Sequence, residues 1–430
     1  MDEHNHYNNA NNGLKRIAMF SIHSDPLASL GSQESGGQNV YVRHLAEELS
    51  KLQWDVDVFT RWDSLHKKQI ATVNKRLRVI RLKGGPEKFI PKSELFNVLP
   101  DIFSNFLHFI NGQNSYSLVH SHYWDGAEVA LMAKEKFSLP LIHNFHSLGI
   151  IRIETKKKFL KDNSEQDYFS KRLNIENKVI KEASKIILLS ESEKSDLLKL
   201  YGCPPEKTLV IPGGVDLKDW PLTEKNKARD YQMIKHHEFV ILFIGRFEWR
   251  KGLGTLISAV NILKGSIPHL KVMIVGGKIF GKNKNKADSK EYNRILGMVK
   301  SYKLEAMVNF TGNIENKALS NLYRSADAFV IPSYYEPFGL VALEGMANKV
   351  PVIASNVGGL ASIIKPNENG LLFEPRNAKD LAGKIMQVYT SKDLSATLAE
   401  NAYKKVVEHY SWKHIAKRIS EEYASLMKNK

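Results

Sequence analysis

The sequence predicts an α/β fold of two doubly wound domains facing a central cleft, and three observations carry that expectation. Short apolar strands alternate with helical periods along most of the chain, the pattern of a parallel sheet with helices on both faces. The alternation stops once, in a polar, proline-containing stretch at 214–230, and then restarts. The length, 430 residues, suits two or three domains of roughly 100–200 residues each.

In the first series RIAMFSI (16–22) reads as a strand. A Gly- and Ser-rich loop (23–39) follows it, then a helix with the apolar stripe Tyr41, Leu45, Leu49 and Leu52. Further strands are expected at 56–62, 76–82, 117–123, 140–147, 185–190 and 208–214, and the segment 93–110 reads as one helix kinked at Pro100. In the second series the strands fall at 239–245, 271–277, 308–313, 328–333, 351–355 and 370–375. The chain closes with a helix whose Trp412 and Tyr423 need a surface to dock on. The expected division is a disordered leader at 1–13, a first domain at 14–213, a linker at 214–230, a second domain at 231–408 and a final helix at 409–430.

Hydrophobic residues make up 43% and charged residues 25%, which excludes a disordered tail, a collagen-like fibre and a membrane bundle. No run of about 18 uncharged apolar residues exists to span a bilayer. The N-terminus carries no apolar h-region of a secretory signal. The single Cys203 can form no internal disulfide, so the chain reads as cytoplasmic. The net charge is +16, unevenly placed: residues 1–200 hold 28 basic against 24 acidic residues, and 201–430 hold 34 against 22. That asymmetry fits an anionic partner for the second half, or a solvated lysine-rich face. Nucleic acid is not expected, since no zinc-finger spacing and no RNP-type strand occur.

Ligands of doubly wound sheets sit outside the carboxyl ends of the strands, so the loops there carry the candidate chemistry. Gly36 and Gly37 precede a helix, where a backbone can approach a phosphate; a plain tight turn is the alternative. In SYYEPFGLVALEGM (333–346), Glu336 stands at a strand tip. Phe338, Gly339 and Leu340 offer a helix N-terminus to a diphosphate, and Glu344 lies about two turns along. Such a carboxylate can accept from ribose hydroxyls, and a buried charge there needs a partner. Arg246 and Lys251 in GRFEWRKG (245–252) could neutralise a leaving diphosphate. Histidines gather at strand ends: His23, His120, His122, His143 and His146. His120 and His122 share a strand face, but no third ligand stands out and no metal is expected.

These motifs together resemble the retaining GT-B glycosyltransferases of family 4. HSDPLASLGSQESGGQNVYV (23–42) is similar to the donor–acceptor loop of sucrose and sucrose-phosphate synthases. VHSHYWDGA (119–127) and NFHSLG (144–149) are similar to sucrose-phosphate synthases and inositol-phosphate glycosyltransferases, and GRFEWRKG and EPFGLVALE match donor-site motifs. The resemblance runs from about residue 15 to about residue 425. It implies a GT-B fold of two Rossmann-like domains and a nucleotide-sugar donor, with UDP-glucose favoured, and neither metal nor redox cofactor. Gly37 would give an N–H to the diphosphate, with Gln38 near the acceptor. His146 would contact the transferred sugar, Arg246 and Lys251 would hold the leaving group, Glu336 would bind sugar hydroxyls, and Glu344 would take the ribose. The final helix would cross back to the first domain. Transfer would retain the anomeric configuration by front-side attack, the diphosphate helping to deprotonate the acceptor.

For the acceptor the resemblance implies a small phosphorylated sugar or polyol, held by Arg152, Lys171 and Arg172. Ser170 replaces a basic residue expected in the sucrose-phosphate branch, which weakens fructose 6-phosphate. Lys156, Lys157, Lys158, Phe159 and Leu160 could instead meet an acidic membrane surface or a phosphorylated lipid. A transferase acting on lipid or glycan acceptors, a catalytically silent sugar-nucleotide-binding regulatory protein, and a GT-B epimerase are the rival readings.

Overall fold

The computed structural model describes residues 15–28, 36–112, 114, 116–160, 166–277, 286–314 and 316–428. The leader at 1–13, and residues 29–35 of the first loop, lie outside the described residues. Two sheets form the frame. The first contains β1 (Arg16–Phe20), β2 (Asp55–Arg61), β3 (Ile70–Asn74), β4 (Leu77–Leu82), β5 (Leu118–His122), β6 (Leu141–Asn144), β7 (Lys185–Leu188) and β8 (Thr208–Val210), in the order 3-4-2-1-5-6-7-8. The second contains β9 (Phe239–Ile244), β10 (Leu270–Val275), β11 (Val308–Gly312), β12 (Ala328–Ile331), β13 (Val352–Ser355) and β14 (Leu371–Phe373), in the order 11-10-9-12-13-14. Among the described residues every pairing is parallel except β3 with β4.

The central strands β5 and β12 are buried end to end, as strands covered on both faces must be. Three apolar clusters result. One lies on the outer side of each sheet, and the third joins the two domains through the inner faces and the C-terminal helix. Besides the helix Gly149–Leu160, which bears Arg152, the helices used below are α1 (Gly37–Lys51), α2 (Leu99–Phe109), α3 (Tyr123–Phe137), α4 (Gln166–Glu182), α5 (Glu191–Tyr201), α6 (Lys225–Tyr231), α7 (Leu340–Ala347) and α8 (Trp412–Lys428).

One local reading is corrected, and one strand was missing from the sequence reading. Pro100 does not kink a helix. The segment is a 3-10 turn (Lys92–Asn97) followed by α2, with Pro100 in its first turn, where a missing N–H costs nothing. Strand β3 escaped notice because it is an exposed edge with no apolar alternation. Within the expected linker at 214–230, α6 packs against the second sheet. Arg229 is buried against the Asp327 carboxylate and donates to the carbonyls of Ser325, His236 and Glu238. The crossover proper is paired with the return of the chain: the Val215 N–H donates to the Tyr410 carbonyl at 2.8 Å.

From that return, α8 lies against α1 on the first domain. The Trp54 Nε1–H donates to Ser420 Oγ at 2.8 Å, and Tyr423 Oη is 2.5 Å from His120 Nδ1. Tyr423 is fully buried. Tyr423→Phe should lower stability by about 1–3 kcal/mol, because it leaves a buried ring nitrogen without its partner; urea unfolding followed by tryptophan fluorescence measures it.

Candidate active site

Parallel strands deliver their loops to one edge of each sheet, and here the two edges meet. The N-terminus of α1 comes from the first domain and that of α7 from the second. They approach so closely that a Cβ at Gly37 would lie 3.3 Å from Leu340 Cδ1. The Asn39 side chain caps α1, accepting from the Gly36 N–H at 2.9 Å and donating to the Asp25 carbonyl at 2.7 Å. The N–H groups of Gly37 and Gln38 have no acceptor among the described residues, nor do those of Phe338, Gly339 and Leu340. Two sets of backbone donors, each at the positive end of a helix, therefore face one gap. Gly339 turns the chain into α7 at φ 99°, a conformation that favours glycine. The Gln38 amide donates to Ser21 Oγ at 3.1 Å.

On the second-domain side, cations and carboxylates alternate. Lys251 Nζ is 2.6 Å from Glu336 Oε2, with both side chains largely buried. Glu248 takes Arg246 on one oxygen at 2.7 Å and Arg250 on the other at 2.6 Å. Burial works to raise the Glu336 and Glu248 carboxyls, but the surrounding cations outweigh it and hold both below the usual range. Burial lowers the Lys251 ammonium, partly offset by Glu336. Gly252 ends this turn at φ 68°, where a Cβ would sit 1.7 Å from the Pro332 carbonyl oxygen, so the strand tips bearing Lys251 and Glu336 close on each other. Glu344 has the partner that a buried acid needs: Tyr323 Oη donates to it at 2.9 Å, and burial pushes its carboxyl up to about 7.

On the first-domain side Tyr123, at φ 65°, is a hub. Its phenol accepts from Arg172 at 2.8 Å and Arg152 at 3.1 Å, and Lys92 lies 5.1 Å over its ring. Burial would raise this phenol, but the three cations pull it below its usual value. Arg172 is fully buried and spends its fork internally, on Glu176 at 2.7 Å, on Tyr123 and on the Ser147 carbonyl. Lys171, one residue earlier, faces outward and pairs with Asp167 at 2.9 Å. So the structure brings Arg152 and Arg172 together and leaves Lys171 apart. Arg152 also acts electrostatically on Glu248 across the cleft. His146 sits at φ 57° beside Tyr41 and His122. Non-glycine residues in this region store strain, and here both stand at the site. The side chains of Lys158, Phe159 and Leu160 lie outside the described residues.

Glu248, Arg250, Lys92 and Tyr123 were not singled out in the sequence. Glu248 and Arg250 sit inside a quoted motif, where the alternation of charge was the available signal. Lys92 has none, since it reaches Tyr123 from 31 positions away only through the fold.

Two parallel-sheet domains with helix N-termini and cations facing across one cleft define a GT-B glycosyltransferase. Residues 224–405 match the family described as glycosyl transferases group 1, and 35–219 match glycosyltransferase family 4. The chain is 30% identical over 413 residues to a D-inositol 3-phosphate glycosyltransferase of Rhodococcus erythropolis, covering 95% of this chain and 91% of the relative. It is 30% identical to a mannosylfructose-phosphate synthase of Agrobacterium fabrum, covering 94% and 90%. The structure is similar to that of a sucrose-phosphate synthase from Thermosynechococcus elongatus, with TM-score 0.87 and 34% identity over 96% of this chain and 100% of that one. The chain belongs to the family 4 glycosyltransferases of the GT-B fold. No helix among the described residues is long and apolar enough to cross a membrane.

Lys251→Ala should cost about 3–5 kcal/mol by leaving Glu336 buried and unpaired. The double variant Lys251→Met with Glu336→Gln should regain most of that loss in thermal unfolding.

Proposed function

We propose that this protein is a retaining hexosyltransferase that moves a sugar, with UDP-glucose the favoured donor, to a small phosphorylated sugar or polyol in the cytoplasm without a metal. One observation carries the acceptor class: Tyr123 gathers Arg152, Arg172 and Lys92 around one phenol at the first-domain wall. Arg152, held on that phenol beside the buried Arg172–Glu176 pair, is the cation placed to meet a compact anion. The names of the relatives support it, since inositol 3-phosphate, mannosylfructose-phosphate and sucrose-phosphate all carry a phosphate on a polyol or sugar.

In this reading the donor diphosphate lies between the N-termini of α1 and α7, with Lys251 and Arg246 against its developing charge. Glu336 orients the sugar hydroxyls while paired to Lys251. Glu344 receives the ribose. Positioning and charge stabilisation supply the rate, with the diphosphate oxygen taking the acceptor proton. A donor-by-acceptor matrix read by mass spectrometry tests it: a new phosphorylated glycoside is expected, and donor binding without product would favour the silent regulatory reading.

Arg152→Ala should raise KM for the phosphorylated acceptor by about 30-fold or more and leave KM for the donor nearly unchanged in initial-rate kinetics. The Glu344 carboxyl, lifted by burial to about 7, accepts from ribose best when ionised. UDP affinity by calorimetry should therefore rise between about pH 6 and pH 8, and Glu344→Gln should remove that part of the rise. For stability the sign reverses. The folded state keeps this proton longer than the unfolded chain, so stability falls as pH climbs from 4.5 towards about 7, then levels.

A further inference from the structure

Behind His146 stands a second imidazole that the reading above does not use. His146 Nε2 lies 2.9 Å from His122 Nδ1. His122 ends β5, is fully buried, and its Nε2 is sealed from solvent without a partner among the described residues. Burial pushes His122 well below its usual pKa and His146 down to about 3, so both rings are neutral and each carries one hydrogen. Two placements satisfy the contact between them. Either His122 donates from Nδ1 and its sealed Nε2 is a bare lone pair, or His146 donates from Nε2 and His122 carries a sealed N–H with no acceptor. A buried donor without an acceptor is the rarer and costlier orphan.

The neighbours leave no third arrangement. The Asn144 amide NH2 donates to the Ile187 carbonyl at 3.1 Å, so its Oδ1 accepts from His120 Nε2 at 2.7 Å. The other nitrogen of His120 then accepts from Tyr423 Oη. His120 stacks 4.4 Å from His122 but has no hydrogen-bonding group left for it. Tyr41 stands edge-on to both His122 and His146. His146 is only partly buried, and its Nδ1 has no partner among the described residues.

We infer that His122 is a positioning residue that locks His146 in its Nδ1–H tautomer, so that His146 meets an oxygen of the bound sugar as a neutral hydrogen-bond donor. This rests on the proposed function only in naming a sugar as the ligand. A neutral donor polarises that oxygen without competing with Lys251 and Arg246 for the diphosphate.

Nitrogen NMR of the full chain, with 15N-labelled histidine and His146→Gln and His122→Asn for assignment, tests the tautomer directly. Protonated Nδ1 and bare Nε2 on both His146 and His122 at neutral pH are expected, and the reverse pattern overturns the inference. Kinetics with UDP-glucose and each of D-inositol 3-phosphate and fructose 6-phosphate supply the second arm. His122→Asn, whose amide N–H replaces the Nδ1 donor, should keep kcat within about fivefold, whereas the acceptor-only His122→Asp should lower kcat about 100-fold at nearly constant KM. Equal kcat in the two variants overturns the inference. Should His122→Asp fail to fold, His122→Leu takes its place, with a kcat loss of about tenfold expected and wild-type kcat overturning. Absence of transfer to any acceptor, alongside the expected nitrogen pattern, would refute the proposed reaction and leave the tautomer lock standing.

Discussion

The polarity of the strands is the constraint on which the rest depends. A parallel strand must be reached by a crossover, and the crossover helix starts at the strand's carboxyl end. Each sheet therefore collects its loops, and the positive ends of its helices, along one edge. The pairing of Val215 with Tyr410 and the docking of α8 on the first domain set those two edges face to face. Close confrontation of Gly37 with Leu340 follows, and with it a gap lined by backbone donors that a diphosphate can fill.

Charge is handled differently on the two walls. On the second-domain wall each cation is already neighboured by a carboxylate, Lys251 by Glu336 and both Arg246 and Arg250 by Glu248. Pairing keeps buried cations in place and limits the cost of their desolvation. On the first-domain wall Arg152 and Arg172 share a phenol as partner, and Glu176 anchors Arg172 behind it. Arg152, Arg172 and Lys92 lie around that phenol, and each acts on it electrostatically. The two walls thus differ in how their cations are paired, with carboxylates on one side and with a shared phenol on the other.

Much of this was legible in the letters. The strands of both series, the single interruption between them and the anchored last helix are periodic or compositional signals, and such signals survive in one dimension. Glu336, Lys251 and the helix start at Phe338–Leu340 were legible because they fall within short motifs at strand ends. The exposed strand β3, the helix α6 inside a polar stretch, and Pro100 at a helix start were misjudged or missed. Their local patterns are those of loops or kinks, and packing overrides them.

Arg172 marks the boundary most clearly. Its position beside Lys171 suggested two basic residues with one role, yet α4 turns one inward and the other out, because adjacent helix positions face different ways. The sequence by itself determined the two parallel-sheet domains and the loops that would carry the chemistry, because alternation of apolar and polar residues is a local property of the chain. Only the tertiary structure decided which charges are neutralised by which. Lys92, Tyr123, Arg152 and Arg172 span 81 positions, and the distance along a chain carries no information about Coulombic neighbours until the chain is folded.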